Sequence, residues 1–353
     1  MTLLVRNLAR RVPPAAFSFV MATGIISTAL NLTGWTVLSA VFLITALGGL
    51  VVLAGLSLTR LALYRRDVLA DMQNPGRAFG FFTIVAGLDV VAVRLAAGGY
   101  PWPAAVLAGM SVPVWLILTY SIPAGFFLRP GNKPEPVRID GSWLLWVVGT
   151  QALAIVTSLA AAASASDFLA GVAVGLWGIG VMLYLILTVL IVHQLVTVRS
   201  DPASFSPTYW IVMGATAISV LGAAHILDLP HTLPIVSATA ATVTGTGYFL
   251  WAVGTWWIPF LVIFGLWRHL IRHVPLRYTT ALWSIVFPIG MYSTASITFG
   301  TTLGAAFMVD VGRIGTAVAV LTWVGVLLLA AYTAFHPLRQ DKDHGSPTGD
   351  TRC

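Results

Sequence analysis

The chain has 353 residues, of which 58% are hydrophobic and 9% are charged, and its formal net charge is +7. Its mean hydropathy is +0.90. A water-soluble domain of this length could not cover its surface with so few polar groups, so the composition excludes a soluble globular protein and predicts one that is solvated by lipid.

Ten apolar runs follow one another along the chain, each long enough to cross a bilayer, which takes about 20 helical residues. The runs are continuous rather than alternating, and a helix satisfies its own backbone groups in lipid. The predicted fold is therefore an all-α, multi-pass membrane protein with ten transmembrane helices. The runs begin near Pro14, Thr36, Phe79, Pro103, Trp143, Leu169, Thr208, Ala238, Ala281 and Val311, and end near Gly34, Tyr64, Ala97, Leu128, Ala163, Val198, Leu227, Leu270, Leu303 and Phe335.

The basic residues fix the predicted orientation. All Lys and Arg residues except Arg94 and Arg313 fall on one side of the ten runs. By the positive-inside rule this side is cytoplasmic, so we expect both termini in the cytoplasm and the chain in the plasma (inner) membrane. The charges are scattered at helix ends rather than gathered into a domain, which argues against a nucleic-acid partner.

We expect residues 1–337 to form a single transmembrane domain. Residues 338–353 are polar and charged and are predicted to be a disordered cytoplasmic tail. The only cysteine, Cys353, lies in this tail, so no disulfide or thiolate metal site is possible within one chain.

The odd-numbered runs begin at intervals of roughly 65 residues, as expected for a repeated helical hairpin, although spans and loops of ordinary length give similar spacing. These runs also carry most of the polar side chains, which in lipid face protein or a water-filled path. The odd-numbered helices are therefore the candidates for lining a pore, unless each hydroxyl only bonds its own helix backbone. The polar candidates are Ser18, Thr23, Asp89, Thr150, Thr216, Ser284 and Thr294.

Three segments on odd-numbered runs carry a family resemblance: FSFVMATGIIS at 17–27, SPTYWIVMGA at 206–215 and WSIVFPIGMY at 283–292. With the loop DMQNPG at 71–76, they resemble the tellurite-resistance/dicarboxylate transporter family. That family includes bacterial anion channels, plant guard-cell slow anion channels, and fungal malate and sulfite transporters.

The resemblance implies five helical hairpins in a ring, with the odd-numbered helices inside around one pore per subunit, and a homotrimer of such subunits. It implies that Phe287 plugs the pore beside a helix kink at Pro288, and it adds Phe17 to the pore-lining candidates. The alternative for Phe287 is ordinary packing. Several inner helices of the family are kinked by proline, whereas the third and fifth runs contain none. Either Gly80, Gly87 and Gly149 supply the flexibility, or the pore has another shape.

The implied function is transport of small inorganic or dicarboxylate anions, with no cofactor. No converging basic site for a dicarboxylate is visible, and Arg94 is expected to extend its head to the membrane interface. This favours a gated anion channel or facilitator. The alternatives are a proton-coupled carrier of four-carbon dicarboxylates and a sulfite or tellurite exporter.

Asp89 has two possible roles. A serine or threonine on a neighbouring helix could satisfy its carboxylate, or the carboxylate could take part in proton coupling or selectivity. His225, Asp228 and His231 are expected to be solvated residues at a helix end rather than a metal or pH-sensing site. The sequence contains no nucleophile and base pair of an intramembrane hydrolase and no metal motif, so we expect no catalytic residues and no enzyme.

Overall fold

The computed structural model describes residues 3–128, 138–197 and 205–335. Of these described residues 88% are helical, and no strand occurs among them. Ten helices there are long and apolar enough to cross a membrane, which confirms the predicted all-α fold with ten spans. In chain order the spans are Pro14–Leu32, Thr36–Leu63, Ala78–Ala97, Pro101–Phe127, Gly141–Ser164, Asp167–Thr197, Pro207–Leu227, Pro234–Ile271, Thr280–Leu303 and Ala306–Phe335. The predicted tail, 338–353, lies outside the described residues.

Two shorter helices precede the first and third spans. Leu3–Arg11 packs against the second span, and Arg65–Met72 connects the second span to the third. Both lie at the end of the molecule where the odd-numbered spans begin, which we call the basic face because most of the arginines lie there. The end where the odd-numbered spans finish is called the opposite face.

Burial separates the spans into two groups. In the most apolar part of each odd-numbered span, 72–89% of the residues are buried, whereas the even-numbered spans have only 17–33% buried. The aliphatic side chains of the even-numbered spans are exposed on the outside, where lipid would cover them. The polar side chains of the odd-numbered spans are mostly enclosed by protein.

The odd-numbered spans form a closed ring. The first packs against the third, the third against the fifth, and so on to the ninth, which returns to the first. Each odd-numbered span also packs against the even-numbered span that follows it. The result is two concentric layers, with the odd-numbered spans inside and the even-numbered spans outside.

Each inner span starts in the same way, with a short 3₁₀ turn that continues into the α-helix. These turns contact one another in the same cyclic order as the helices. A Cβ on Gly141 would overlap the carbonyl of Thr208, so the fifth and seventh spans meet backbone to backbone at the basic face. The five turns are Pro14–Phe17, Ala78–Phe81, Gly141–Leu144, Pro207–Trp210 and Thr280–Leu282.

Left-handed residues follow four of the inner spans at the opposite face. Gly34, Gly99 and Gly304 have φ values of 85°, 81° and 67°, and Ala165 has a φ of 49°. Glycine adopts this backbone region without steric cost, which permits tight turns into the outer spans. The shared entry turns and exit turns support a repeated hairpin more directly than the sequence spacing does.

The glycines of the third and fifth spans are packing sites. A Cβ on Gly149 would lie 2.9 Å from the Phe82 ring, and one on Gly87 would lie 3.6 Å from Val20. Both helices continue without interruption to Ala97 and Ser164. Gly149 therefore lets two neighbouring inner helices approach closely, whereas a Cβ on Gly87 would make only ordinary contact, and neither glycine interrupts its helix.

Candidate functional site

All five inner spans line one cavity of about 130 Å³. It lies in the half of the ring nearer the opposite face, and each inner span contributes at least two side chains to it. Because it is enclosed by the inner helices of a single chain, it is the candidate for part of a transport path. One lining residue from each span, in chain order, is Thr28, Asp89, Ile155, His225 and Thr294.

The hydroxyl groups of the threonines that line the cavity donate hydrogen bonds to backbone carbonyls of their own helices. Thr28 donates to the carbonyl of Gly24 at 3.2 Å, and Thr294 donates to that of Gly290 at 3.0 Å. In this arrangement the hydroxyls offer lone pairs rather than protons to the lumen. The remaining lining is mainly apolar, so these hydroxyls do not form a set of anion-binding donors.

Asp89 is a carboxylate enclosed within the ring. Its side chain lines the cavity, and the residue is only 1% exposed. Neither carboxylate oxygen has a hydrogen-bond partner in the part of the chain that the structure describes. Ser111 of the fourth span lies nearby, but its hydroxyl donates to the carbonyl of Ala108 at 2.9 Å. Ser111 is thus close enough to the carboxylate to stabilise it, although its hydroxyl proton is directed to its own helix.

His225 also lines the cavity, from the seventh span. It belongs to the helix Ile211–Leu227 and is half-buried. The expectation that His225 is a solvated residue is therefore wrong, because the last turn of its helix extends far enough to place it against the lumen. Asp228 follows the helix and is exposed, and among the described residues no group of three metal-ligating side chains is present.

Phe287 lies one helical turn before a residue of the cavity wall. It is 1% exposed, and Met291, four residues later on the same helix, lines the cavity. Pro288 lies inside the helix Trp283–Leu303 and packs against Gly214 of the seventh span. Phe287 is therefore a buried aromatic residue on the basic side of the cavity, next to a proline within an inner helix.

Three other candidates lie near the basic face and do not line the cavity. Phe17 and Ser284 are 3% and 6% exposed. Ser18 is also buried, and its hydroxyl donates to the carbonyl of Ala15 at 2.6 Å. They lie at or next to the turns where the first and ninth spans begin.

Three threonine candidates face the outer spans. Thr23 accepts a hydrogen bond from the indole N–H of Trp323 at 3.0 Å, and Thr150 accepts one from Trp115 at 3.0 Å. Thr216 packs against Gly254 of the eighth span. These polar groups do not line the cavity; they make contacts between the inner and the outer spans.

Arg94 is held inside the protein, so the expectation that it extends to the interface is wrong. The residue is 6% exposed. Its Nε donates to Ser27 Oγ at 3.1 Å, and its Nη2 donates to Asn31 Oδ1 at 3.2 Å and to Ser39 Oγ at 2.9 Å. These oxygens belong to the first and second spans. They accept the hydrogen bonds that water would accept from the guanidinium at the membrane interface.

Comparison with known proteins identifies similar membrane proteins. A family model described as voltage-dependent anion channel matches residues 11–331. The chain is 38% identical over 141 residues to an uncharacterized membrane protein of Mycobacterium tuberculosis, which covers 40% of this chain and 71% of the relative. It is 21% identical over 252 residues to an uncharacterized transporter of Methanocaldococcus jannaschii, with 67% of each chain covered.

Proposed function

Because the chain belongs to the voltage-dependent anion channel family, whose members transport anions across membranes, we propose that it is a gated anion channel with one path inside each subunit. The family match confirms the resemblance of the three motif segments. The observation that carries the proposal is the cavity lined by all five inner spans, which reaches to within one helical turn of Phe287.

Phe287 is the proposed gate. Its ring is fully buried on the basic side of the cavity, and a hydrophobic constriction can close a path by occlusion and by dewetting. Pro288 removes one backbone hydrogen bond of the ninth span and makes that point the natural position for a bend. Movement of the ring would then open the lumen toward the basic face.

The gate is tested by anion current through purified protein in a planar bilayer. Phe287→Ala should raise the current by tenfold or more, because one aromatic side chain no longer fills the path. Phe299→Ala is the matched control, since Phe299 is equally buried on the same helix but packs against Gly247 of the eighth span. Equal currents from wild type and Phe287→Ala, in folded protein, would contradict the gate.

A proton-coupled carrier of dicarboxylates is the second candidate. It is favoured by one observation, that the Asp89 carboxylate lines the cavity with no hydrogen-bond partner in the described chain. A channel gives currents that reverse near the equilibrium potential of the anion, whereas a carrier gives saturable uptake that depends on the proton gradient. Malate uptake with and without a pH gradient separates the two.

We also propose the membrane arrangement. The basic face would be cytoplasmic in the plasma membrane, in accord with the positive-inside rule. A homotrimer is supported by the sixth span, where, apart from the neighbouring backbone of the same helix, no described atom lies within 4 Å of a Cβ built on Gly171 or Gly175. Small residues four apart permit close approach of helices from separate subunits. Mass measurement of the protein in native membrane discs tests this assembly.

A further inference from the structure

Arg94 lies directly behind the wall of the cavity. Its neighbours Val93 and Ala97 on the third span line the lumen, as does Thr28 on the first span. The guanidinium lies between the first, second and third spans, close to the opposite face. The positive charge at this position therefore adjoins spans whose side chains line the cavity.

The groups that accept hydrogen bonds from the Arg94 guanidinium are all uncharged. Ser27 and Ser39 donate their hydroxyl protons to each other's backbone carbonyls, both at 2.7 Å. Their oxygen lone pairs are thereby left to accept from Arg94. The third acceptor, Asn31, is uncharged as well. The guanidinium is therefore hydrogen-bonded without being neutralised.

No carboxylate in the described ranges comes within 4.0 Å of Arg94, whereas Arg60, on the basic face, is paired with Asp71. Asp89 is on the same helix, but five residues advance a helix by about 7.5 Å and turn it by about 140°. Asp89 consequently lies at one edge of the lumen-facing strip of the third span, and Arg94 lies beyond the other edge. Arginine stays protonated in proteins, so its charge at this site is permanent.

From these contacts we infer that Arg94 is the fixed positive charge that makes the cavity select anions over cations. A unit positive charge about 10 Å from an ion, acting through an effective dielectric constant of about 20, raises the occupancy of a monovalent anion roughly tenfold and lowers that of a monovalent cation roughly tenfold. Low-dielectric walls focus such a field into the lumen. This inference rests on the proposed anion path and assigns the charge on which its selectivity depends.

The test is the anion-to-cation permeability ratio, measured from the reversal potential in a potassium chloride gradient, in the wild type and in Phe287→Ala protein. Arg94→Gln should lower this ratio on the order of a hundredfold, because the effects on the anion and on the cation multiply, and Arg94→Lys should preserve it. Because Arg94→Gln also loses buried hydrogen bonds, Asn31→Asp provides a second variant. Aspartate has nearly the same shape as asparagine and would put a carboxylate against Nη2, so Asn31→Asp should neutralise the field and lower the ratio without removing the arginine.

Arg313→Gln is the matched control on the opposite face. Its side chain is 64% exposed and lies 3.3 Å from Asp310, so its charge is both screened and paired, and the ratio should stay unchanged. An unchanged ratio in Asn31→Asp, with anion-selective currents in the parent, would overturn the role of Arg94 and leave the channel intact. Absence of current from folded wild type and Phe287→Ala protein alike would remove both proposals.

Discussion

Pro288 of the ninth span packs directly against Gly214 of the seventh span: a Cβ built on Gly214 would lie 2.8 Å from the Cγ atom of Pro288. Both residues belong to the motif segments that carry the family resemblance. The contact places the point of weakest backbone hydrogen bonding in the ninth span, next to Phe287, against a neighbour without a side chain. A methyl group at position 214 would overlap Pro288, so the position of the proposed gate depends on the glycine there.

Gly214→Ala is expected to disturb this contact. Overpacking at a close interface typically costs about 1–3 kcal/mol, so the unfolding midpoint in detergent should fall and the anion current should change as the ninth span shifts. Gly245→Ala on the eighth span is the control, because nothing lies within 4 Å of a Cβ built there. Identical stability and current for the two variants would contradict a role for the Gly214 contact.

Asp89→Asn is expected to increase the anion current and flatten its dependence on pH. An ionised carboxylate in the cavity wall opposes the entry of anions, and the amide keeps the shape of the side chain without the charge. The measurement is bilayer current at a series of pH values between about 5 and 9. The wild type should lose current toward the alkaline end, and the variant should not.

His225→Gln is the companion to this experiment, since His225 is the other titratable side chain of the cavity wall. If the profile flattens in His225→Gln and stays unchanged in Asp89→Asn, the histidine is the titrating group. An Asp89→Asn protein with the wild-type profile would also remove the proton-coupled carrier that depends on this carboxylate.

Asp71→Asn is expected to be strongly destabilising. Asp71 accepts from Arg60 at 2.6 Å and lies 2.8 Å from Arg77, and the Asp71 and Arg60 side chains are only 6% and 7% exposed. Removing one member of a buried pair leaves the other charge uncompensated and typically costs about 3–5 kcal/mol. Chemical denaturation of purified protein gives the change in the free energy of unfolding.

Asp67→Asn is the control for Asp71→Asn. Asp67 pairs with Arg10 at 3.1 Å, but the two side chains are 41% and 63% exposed, and an exposed pair contributes at most about 1 kcal/mol. Equal losses of stability in the two variants would show that burial of the Asp71 pair has no energetic consequence.

The sequence was sufficient to predict the spans and their two layers. A long, continuous apolar run is stable in lipid as a helix, because a helix satisfies its own backbone hydrogen bonds. Each predicted boundary of a span therefore lies within about five residues of the observed one. The concentration of polar groups on odd-numbered runs indicated the inner layer, and the burial of those spans agrees with it. The composition of the runs and their spacing are therefore sufficient to predict the number of spans and their division into two layers.

The direction in which each polar group points was not predictable in the same way. Thr23 and Thr150 lie on inner helices, yet they face outward to accept indole protons from Trp323 and Trp115. Helix rotation depends on packing against neighbours that are distant in sequence. One signal in the sequence does bear on this direction: a tryptophan N–H on a lipid-facing span needs an acceptor, which a hydroxyl on an inner span can supply.

The position of the Arg94 side chain was not predictable for a related reason. A single helix shows only that the arginine is near its end, where extension to the interface is common. The acceptors that retain it, Ser27, Asn31 and Ser39, come from two other spans, and only the assembled bundle brings them to one place.

The claim that anions pass inside the ring of inner spans is tested most directly by two neighbouring positions on the ninth span. Thr294 lines the cavity, whereas Ser296 accepts from Trp251 of the eighth span at 2.9 Å. Each is replaced by cysteine in a Phe287→Ala background in which Cys353 is replaced by serine. Current is then recorded before and after a negatively charged methanethiosulfonate reagent. We expect the reagent to block Thr294→Cys and to leave Ser296→Cys unchanged. Block of Ser296→Cys alone, or of neither variant, would show that anions do not pass inside the ring.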